Sequence, residues 1–336
     1  MRATIKDLAR IANLSTSTVS RVLTGDPHVS LDAVEKVNEA IKATGYIPNS
    51  AARSLVKQRR NLIGLIVPEL ENPYYTLIVR GVEAAVSEFG YGVVLISGSN
   101  QSANSNVIES LLEVGVDGII HAGLLQDDQS IPILSRWGIP YVLVGRQPVN
   151  EKSNYVVFDD YGSAYKATRH LLSLGHRKIA FLFGKLSSIS SELKLRGYKD
   201  ALTEQGLPFD KDLFAVGDLD FECSRRAVHK LLEKGTDMTA ILASNDMMAF
   251  GARDAVLKAG LDIPGDISLV GIDNIFWSGM WGINLTTVDV PKFEMGQLAG
   301  QILIRHIDDP KLDYEHYTLP STVVLRESCR NLLKEK

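Results

Sequence analysis

Apolar residues at Ile5, Leu8, Ala9 and Ala12 recur at spacings of three and four, the period of one helix face. Thr4 stands where a side-chain oxygen caps such a helix, and Asp7 falls in the first turn, where the helix dipole favours an acid. Asn13-Leu14-Ser15 breaks the pattern. It resumes as a second short helix, Thr16 to Leu23, capped by Ser15 and closed by Thr24-Gly25-Asp26-Pro27. A third amphipathic stretch, Asp32 to Thr44, sends Val34, Val37 and Ile41 toward the same small core and ends at Gly45. The expected unit is helix, turn, helix and one supporting helix.

After Tyr46-Ile47-Pro48 comes Asn49 to Val56, a segment of mostly small residues that Asn49 can cap. Eight residues do not offset the cost of helix nucleation, so this helix is expected to order only when packed against a partner and DNA. From Asn61 the period changes. Short apolar runs, LIGLIV, GVVLIS, GVDGIIHAG and PYVLVG, alternate with helical stretches such as Pro73 to Phe89, and the alternation restarts at KIAFLFG, AILASN and ISLVGID. Alternation of this kind builds parallel sheets, and the restart divides them. The expected fold is an α/β sensor of two Rossmann-like lobes preceded by a small all-α helix-turn-helix domain. Its boundaries are 1–48 for the head, 49–60 for the hinge helix and linker, and 61–336 for the sensor.

Composition narrows the function. With 45% hydrophobic and 23% charged residues in 336, the chain has the apolar mass for several packed cores. Cys223 and Cys329 are far apart and lack metal-ligand spacing, which argues against a disulfide framework or a zinc site and for a reducing compartment. There is no apolar leader and no run of 18 uncharged apolar residues, so a cytoplasmic protein is expected. The net charge of −4 hides an asymmetry: residues 1–61 carry +5 and the remainder −9. A basic head on an acidic body suits DNA binding, and a merely solvated asymmetry is the plainer alternative. No phosphate-cradling loop, nucleophile elbow or HExxH occurs, so no enzyme, cofactor or metal is expected.

On the second helix Val19, Val22 and Leu23 share one side, leaving Thr16, Ser17, Ser20 and Arg21 on the other. In a major groove, short hydroxylated side chains reach base edges and phosphates, and arginine reads guanine bidentately. An ordinary capped surface helix has the same composition. Leu55, isolated among small residues, can wedge between base pairs from the minor groove, with Lys57, Arg59 and Arg60 on phosphates. In the sensor, ligands meet the carboxyl ends of parallel strands. The candidates there are Tyr74, Tyr75, Arg146, Asp159, Asn245, Asp246, Asp273 and Asn274. Several of these can equally cap helices or pack.

The blocks TIKDLARIANLSTSTVSRVL, VNEAIKATGYIPNSAARSL and NLIGLIVPELENPYY resemble successive blocks of the LacI/GalR repressor family, in order and over nearly the whole chain. The resemblance implies base recognition by Thr16, Ser17 and Arg21, and phosphate or sugar contacts from Ser15, Thr18, Ser20 and Asn49. It further implies minor-groove insertion by Leu55 beside Ala52, a dimer on a pseudo-palindromic operator, and a periplasmic-binding-protein-like clamshell. A small effector, expected to be a sugar or sugar derivative, would sit between the lobes near Asn245 and Asp273. Two positions depart from sugar-responsive relatives: Lys194 replaces a frequent arginine, and Leu219 stands where an aromatic is common, with Phe221 two residues on as its substitute. Lysine lacks arginine's planar fork. The Lys194 pattern also fits relatives that answer to a phosphorylated carrier protein, and a solute-binding protein is the rival outside the regulator class. No leucine heptads follow the last strand, which favours a dimer over a tetramer.

Overall fold

The computed structural model describes residues 3–24, 26–46, 59–98, 104–123, 130–147, 152–184 and 188–334. Contacts divide the chain into two units, 1–60 and 61–336.

Among the described residues the first unit has three helices, α1 (Ile5–Ala12), α2 (Thr16–Thr24) and α3 (Leu31–Thr44). Thr4 and Asp7 form a reciprocal capping box at the start of α1, and Asn13, in the left-handed conformation with φ 51°, ends it. The third helix starts one residue earlier than its apolar pattern indicates, because Ser30 is the cap, its hydroxyl accepting the Ala33 N–H at 3.3 Å. Gly45 closes α3 with φ 62°, a conformation glycine adopts without strain. Leu8, Val19, Val37 and Ala40 are buried at the centre, while Val34 and Ile41 are half-buried at its edge.

The second unit holds two six-stranded sheets. The first contains β1 (Leu62–Val67), β2 (Gly92–Ser97), β3 (Gly118–Ala122), β4 (Tyr141–Val144), β5 (Asn154–Phe158) and β11 (His316–Leu319), all parallel, in the order β11-β5-β4-β3-β1-β2. The second contains β6 (Ile179–Phe183), β7 (Phe214–Val216), β8 (Ala240–Ala243), β9 (Ser268–Asp273), β10 (Thr286–Asp289) and β12 (Thr322–Val324), in the order β12-β10-β9-β8-β6-β7, with only β12 antiparallel to its neighbour. Every residue of β3, β4, β5, β6, β8 and β9 is buried, as expected of parallel strands covered on both faces.

Helices α4 (Pro73–Ser87), α5 (Asn104–Val114) and α6 (Ser130–Trp137) serve the first lobe, and α7 (Asp160–Ser173), α8 (Ile189–Thr203), α9 (Phe221–Glu233) and α10 (Asp246–Lys258) the second. The chain crosses between lobes at three places: from β5 into α7, from β10 into the long α11 (Lys292–Asp308), which returns to pack on α4, and from β11 to β12. At these crossings the Ser163 hydroxyl donates to Ser321 at 2.8 Å, and Lys166 Nζ donates to the Ser321 carbonyl at 2.9 Å.

Candidate nucleic-acid interface and effector cavity

On α2 the side chains of Thr16, Ser17, Ser20 and Arg21 are exposed, and Thr18 is half-buried. Ser15 is the cap: its Oγ accepts the Thr18 N–H at 3.1 Å and shares hydroxyl bonds of 2.8 Å with Ser17 and Thr18. The polar face is therefore linked by hydroxyls at its N-terminal end. At the other end, Arg21 Nε donates to Asp26 Oδ2 at 2.8 Å, and this bond holds the Asp26 carboxyl below its ordinary range. Asn49, Ala52 and Leu55 lie outside the described residues.

In the second unit, a cavity opens where the carboxyl ends of both sets of parallel strands face one another. About 100 Å³ of it can hold the centre of a water-sized molecule. From the first lobe it is lined by Tyr74 and Tyr75 on the opening turn of α4, by Arg146 just after β4, and by Phe158 at the end of β5. The two tyrosine rings meet edge to face, with centroids 5.0 Å apart. Burial raises both phenols above their ordinary range, so they are neutral hydrogen-bonding groups. From the second lobe come Ser188, Ser190 and Lys194 around the start of α8, Leu219 after β7, Ser244 and Asn245 after β8, and Asp273 at the end of β9.

Six sequence-derived candidates, Tyr74, Tyr75, Arg146, Lys194, Asn245 and Asp273, thus line one cavity. Four, Asp159, Phe221, Asp246 and Asn274, do not. Asp159 is the cap of α7, its Oδ1 accepting the Gly162 N–H at 2.7 Å, while Phe158, one residue earlier, lines the cavity. Side chains alternate along a strand, so the residue after Phe158 is turned from the site its neighbour reaches. Phe221 begins α9 and does not line the cavity either. Positive φ values at Asp218 (54°) and Leu219 (61°) fold the loop so that Leu219 itself fills the place expected of an aromatic. Asn72, Ser188, Ser190 and Ser244 are further wall residues. Their only sequence signal was a cap before Pro73 and a run of serines.

The ionic groups differ in how they are satisfied. Lys194 is buried; its ammonium contacts the Asp160 carboxylate, donates to Ser190 Oγ at 2.8 Å and lies 5.0 Å from the Phe158 ring centroid. Its charge is compensated from within the chain. Asp246 is buried as well, and accepts from Ser278 and Thr287 hydroxyls at 2.5 Å and from the Ile275 N–H at 3.0 Å, so it braces the loop after β9 and is not a wall group. Asn245 accepts the Met248 N–H at 2.8 Å through Oδ1 as the cap of α10. Asn274, the last candidate, lies behind the wall, its amide donating to Asp289 at 3.1 Å and its Oδ1 accepting from Arg326 at 2.6 Å.

Asp273 stands apart. Its main-chain carbonyl accepts from buried Lys292, but no described residue donates to its carboxylate. Burial drives that carboxyl well above its ordinary range, the charge of Asp246 pushes the same way, and Lys292 and Lys194 oppose them. A buried carboxylate short of donors is costly unless something supplies them. A ligand bearing adjacent hydroxyls would, with Arg146 as a donor in the same cavity and Phe158 and Tyr74 as apolar surface.

A helix-turn-helix unit on the same chain as a two-lobed body with a polar cavity defines a ligand-responsive DNA-binding regulator. Residues 60–331 match the model of periplasmic binding proteins and sugar binding domain of LacI family, and residues 4–49 match that of bacterial regulatory proteins, lacI family. The chain belongs to the LacI family. It is 34% identical over 330 residues to the ribose operon repressor of Escherichia coli (strain K12), covering 97% of this chain and 100% of that protein. It is 33% identical over 332 residues to catabolite control protein A of Priestia megaterium, covering 98% and 100%. The solved lac repressor dimer bound to operator and the anti-inducer ONPF is similar with a TM-score of 0.86 and 29% identity, covering 98% of this chain and 100% of that one.

Proposed function

We propose that this protein is a cytoplasmic repressor of carbohydrate-metabolism genes that binds a pseudo-palindromic operator as a homodimer and is switched by a sugar or sugar derivative in the interlobe cavity. Similarity to the ribose operon repressor and to the operator-bound lac repressor dimer supports the DNA and dimer parts. The observation that carries the effector part is the Asp273 carboxylate, buried in the cavity without a donor among the described residues. In this reading Thr16, Ser17 and Arg21 contact bases, Ser15, Thr18, Ser20 and Asn49 contact the DNA backbone, and Leu55 inserts into the minor groove beside Ala52. The cavity binds and does no chemistry. Effector binding shifts a population of lobe arrangements, and a coupling of about 1 to 3 kcal/mol alters operator affinity roughly 5- to 150-fold.

The test is a thermal-stabilisation screen of neutral sugars and sugar phosphates, followed by operator titration with each hit. A ligand at 100 times its dissociation constant adds about 2.7 kcal/mol of stability. A hit that binds the cavity and leaves operator affinity unchanged would refute the switch.

A further inference from the structure

Asp26 lies just beyond α2, in the loop that leads to α3, and four hydrogen bonds hold it in place. Its N–H donates to the Arg21 carbonyl at 3.0 Å, its carbonyl accepts the Val29 N–H at 3.3 Å, its Oδ1 accepts the His28 N–H at 2.8 Å, and its Oδ2 accepts Arg21 Nε at 2.8 Å. Its side chain is 27% exposed, whereas that of Arg21 is 53% exposed on the polar face of α2. An acid on a surface meant for phosphates raises the electrostatic cost of any DNA contact. An arginine with four free torsions loses conformational freedom when it docks on a base edge, and an arginine already held in one arrangement loses less. The carboxylate is anchored by the His28 backbone N–H on one oxygen and bonded to the Arg21 guanidinium on the other, so a fixed acid holds the arginine in one arrangement.

We propose that Asp26 is a positioning residue for sequence reading: it fixes the Arg21 guanidinium through Nε, giving up general affinity for DNA in exchange for discrimination between sequences. The proposal rests on Arg21 reading a base, as set out above. Asp26→Asn tests it cleanly, because an asparagine Oδ1 still accepts the His28 N–H and keeps the loop turn, while the charged acceptor for Arg21 is lost.

The full-length chain first selects a preferred duplex from a random-sequence pool. Wild type, D26N, R21A and the double variant are then titrated on that duplex and on random DNA at one salt concentration, with thermal unfolding of each. The expected result for D26N is a loss of about 2- to 13-fold on the selected duplex, the range for freeing one long side chain. On random DNA its affinity is unchanged or higher, and adding D26N to R21A changes the ratio of the two affinities no further. A rise on both DNAs would show that the carboxylate sequesters the arginine, and would overturn the proposal. Equal losses on both, or a lowered unfolding temperature, would make Asp26 a structural loop residue and overturn it as well. The underlying reading fails differently: R21A would then lose selected and random DNA alike.

Discussion

Asp273 sits with φ 130°, in a backbone region that few non-glycine residues enter, and closes a strand that is buried along its whole length. Strain and an uncompensated carboxylate thus coincide at one position, the signature of a site where the fold gives up stability for function. Asp273→Asn preserves shape and tolerates the conformation. Because the folded-state pKa of Asp273 lies above that of the unfolded chain, the ionisation penalty is absent below about pH 4 and grows as pH rises toward the folded value. The ligand-free variant should therefore be more stable than wild type at neutral pH, by about 1 to 3 kcal/mol, with the difference vanishing near pH 4. Effector affinity should fall roughly 10- to 150-fold, the loss of one charge-assisted pair. Thermal unfolding across pH and calorimetric titration read the two effects, and a variant less stable than wild type at neutral pH would show that the carboxylate has an internal donor. At this scale the cavity was only partly legible. A strand end marks which stretch faces the site, but the side-chain parity that selects Phe158 over Asp159, and the left-handed pair that brings in Leu219, are fixed by backbone geometry that residue identity does not announce.

Elements are where the chain reads most directly. Helices α1, α2 and α3 follow their periodicity and caps to within a residue or two, since capping and a small apolar core are local properties. In the second unit α4 ends at Ser87, short of the expected Phe89, because Glu88 and Phe89 continue as a turn in which the Gly90 N–H bonds back to the Ser87 carbonyl. What local pattern did not reveal is how closely the helices cross. A Cβ at Gly81 would overlap the Phe293 carbonyl, and one at Gly296 would overlap the Ile78 carbonyl, so α4 and α11 touch backbone to backbone at two reciprocal glycines. Neither contact lets a flexible side chain give way. Gly296→Ala should lower stability by about 3 kcal/mol or more, at the upper end of overpacking costs. Urea unfolding monitored by tryptophan fluorescence measures it, and a change under about 0.5 kcal/mol would mean that α11 can slide on α4 without penalty.

For the whole molecule, the restart of strand and helix alternation announced two lobes, while the three crossings between them depend on contacts far apart in sequence, such as Ser163 with Ser321. The same distance from local pattern applies to assembly. After β9 the turn Phe276–Gly279 and the residues beyond it present Phe276 at 78% exposure and Trp281 at 96%, with Trp277 and Met280 beside them and the Phe250 ring 6.4 Å from that of Trp277. Two large aromatic side chains almost fully in water are unusual on a surface with no apolar partner to meet. A second copy of this chain is the partner that the proposed homodimer would supply, and in a two-fold interface each such residue is used twice. Aromatic anchors of this kind commonly cost about 2 kcal/mol when truncated, so Trp281→Ser should weaken dimerisation by about 4 kcal/mol, roughly a thousand-fold in dissociation constant. Operator affinity at nanomolar protein should fall with it, since each half-site would then be bound independently, whereas effector binding should persist because the cavity lies within one chain. Sedimentation over a dilution series, paired with calorimetry on the same preparation, separates the two. If the variant remains dimeric at the dilution where wild type begins to dissociate, the aromatic patch is not the seam.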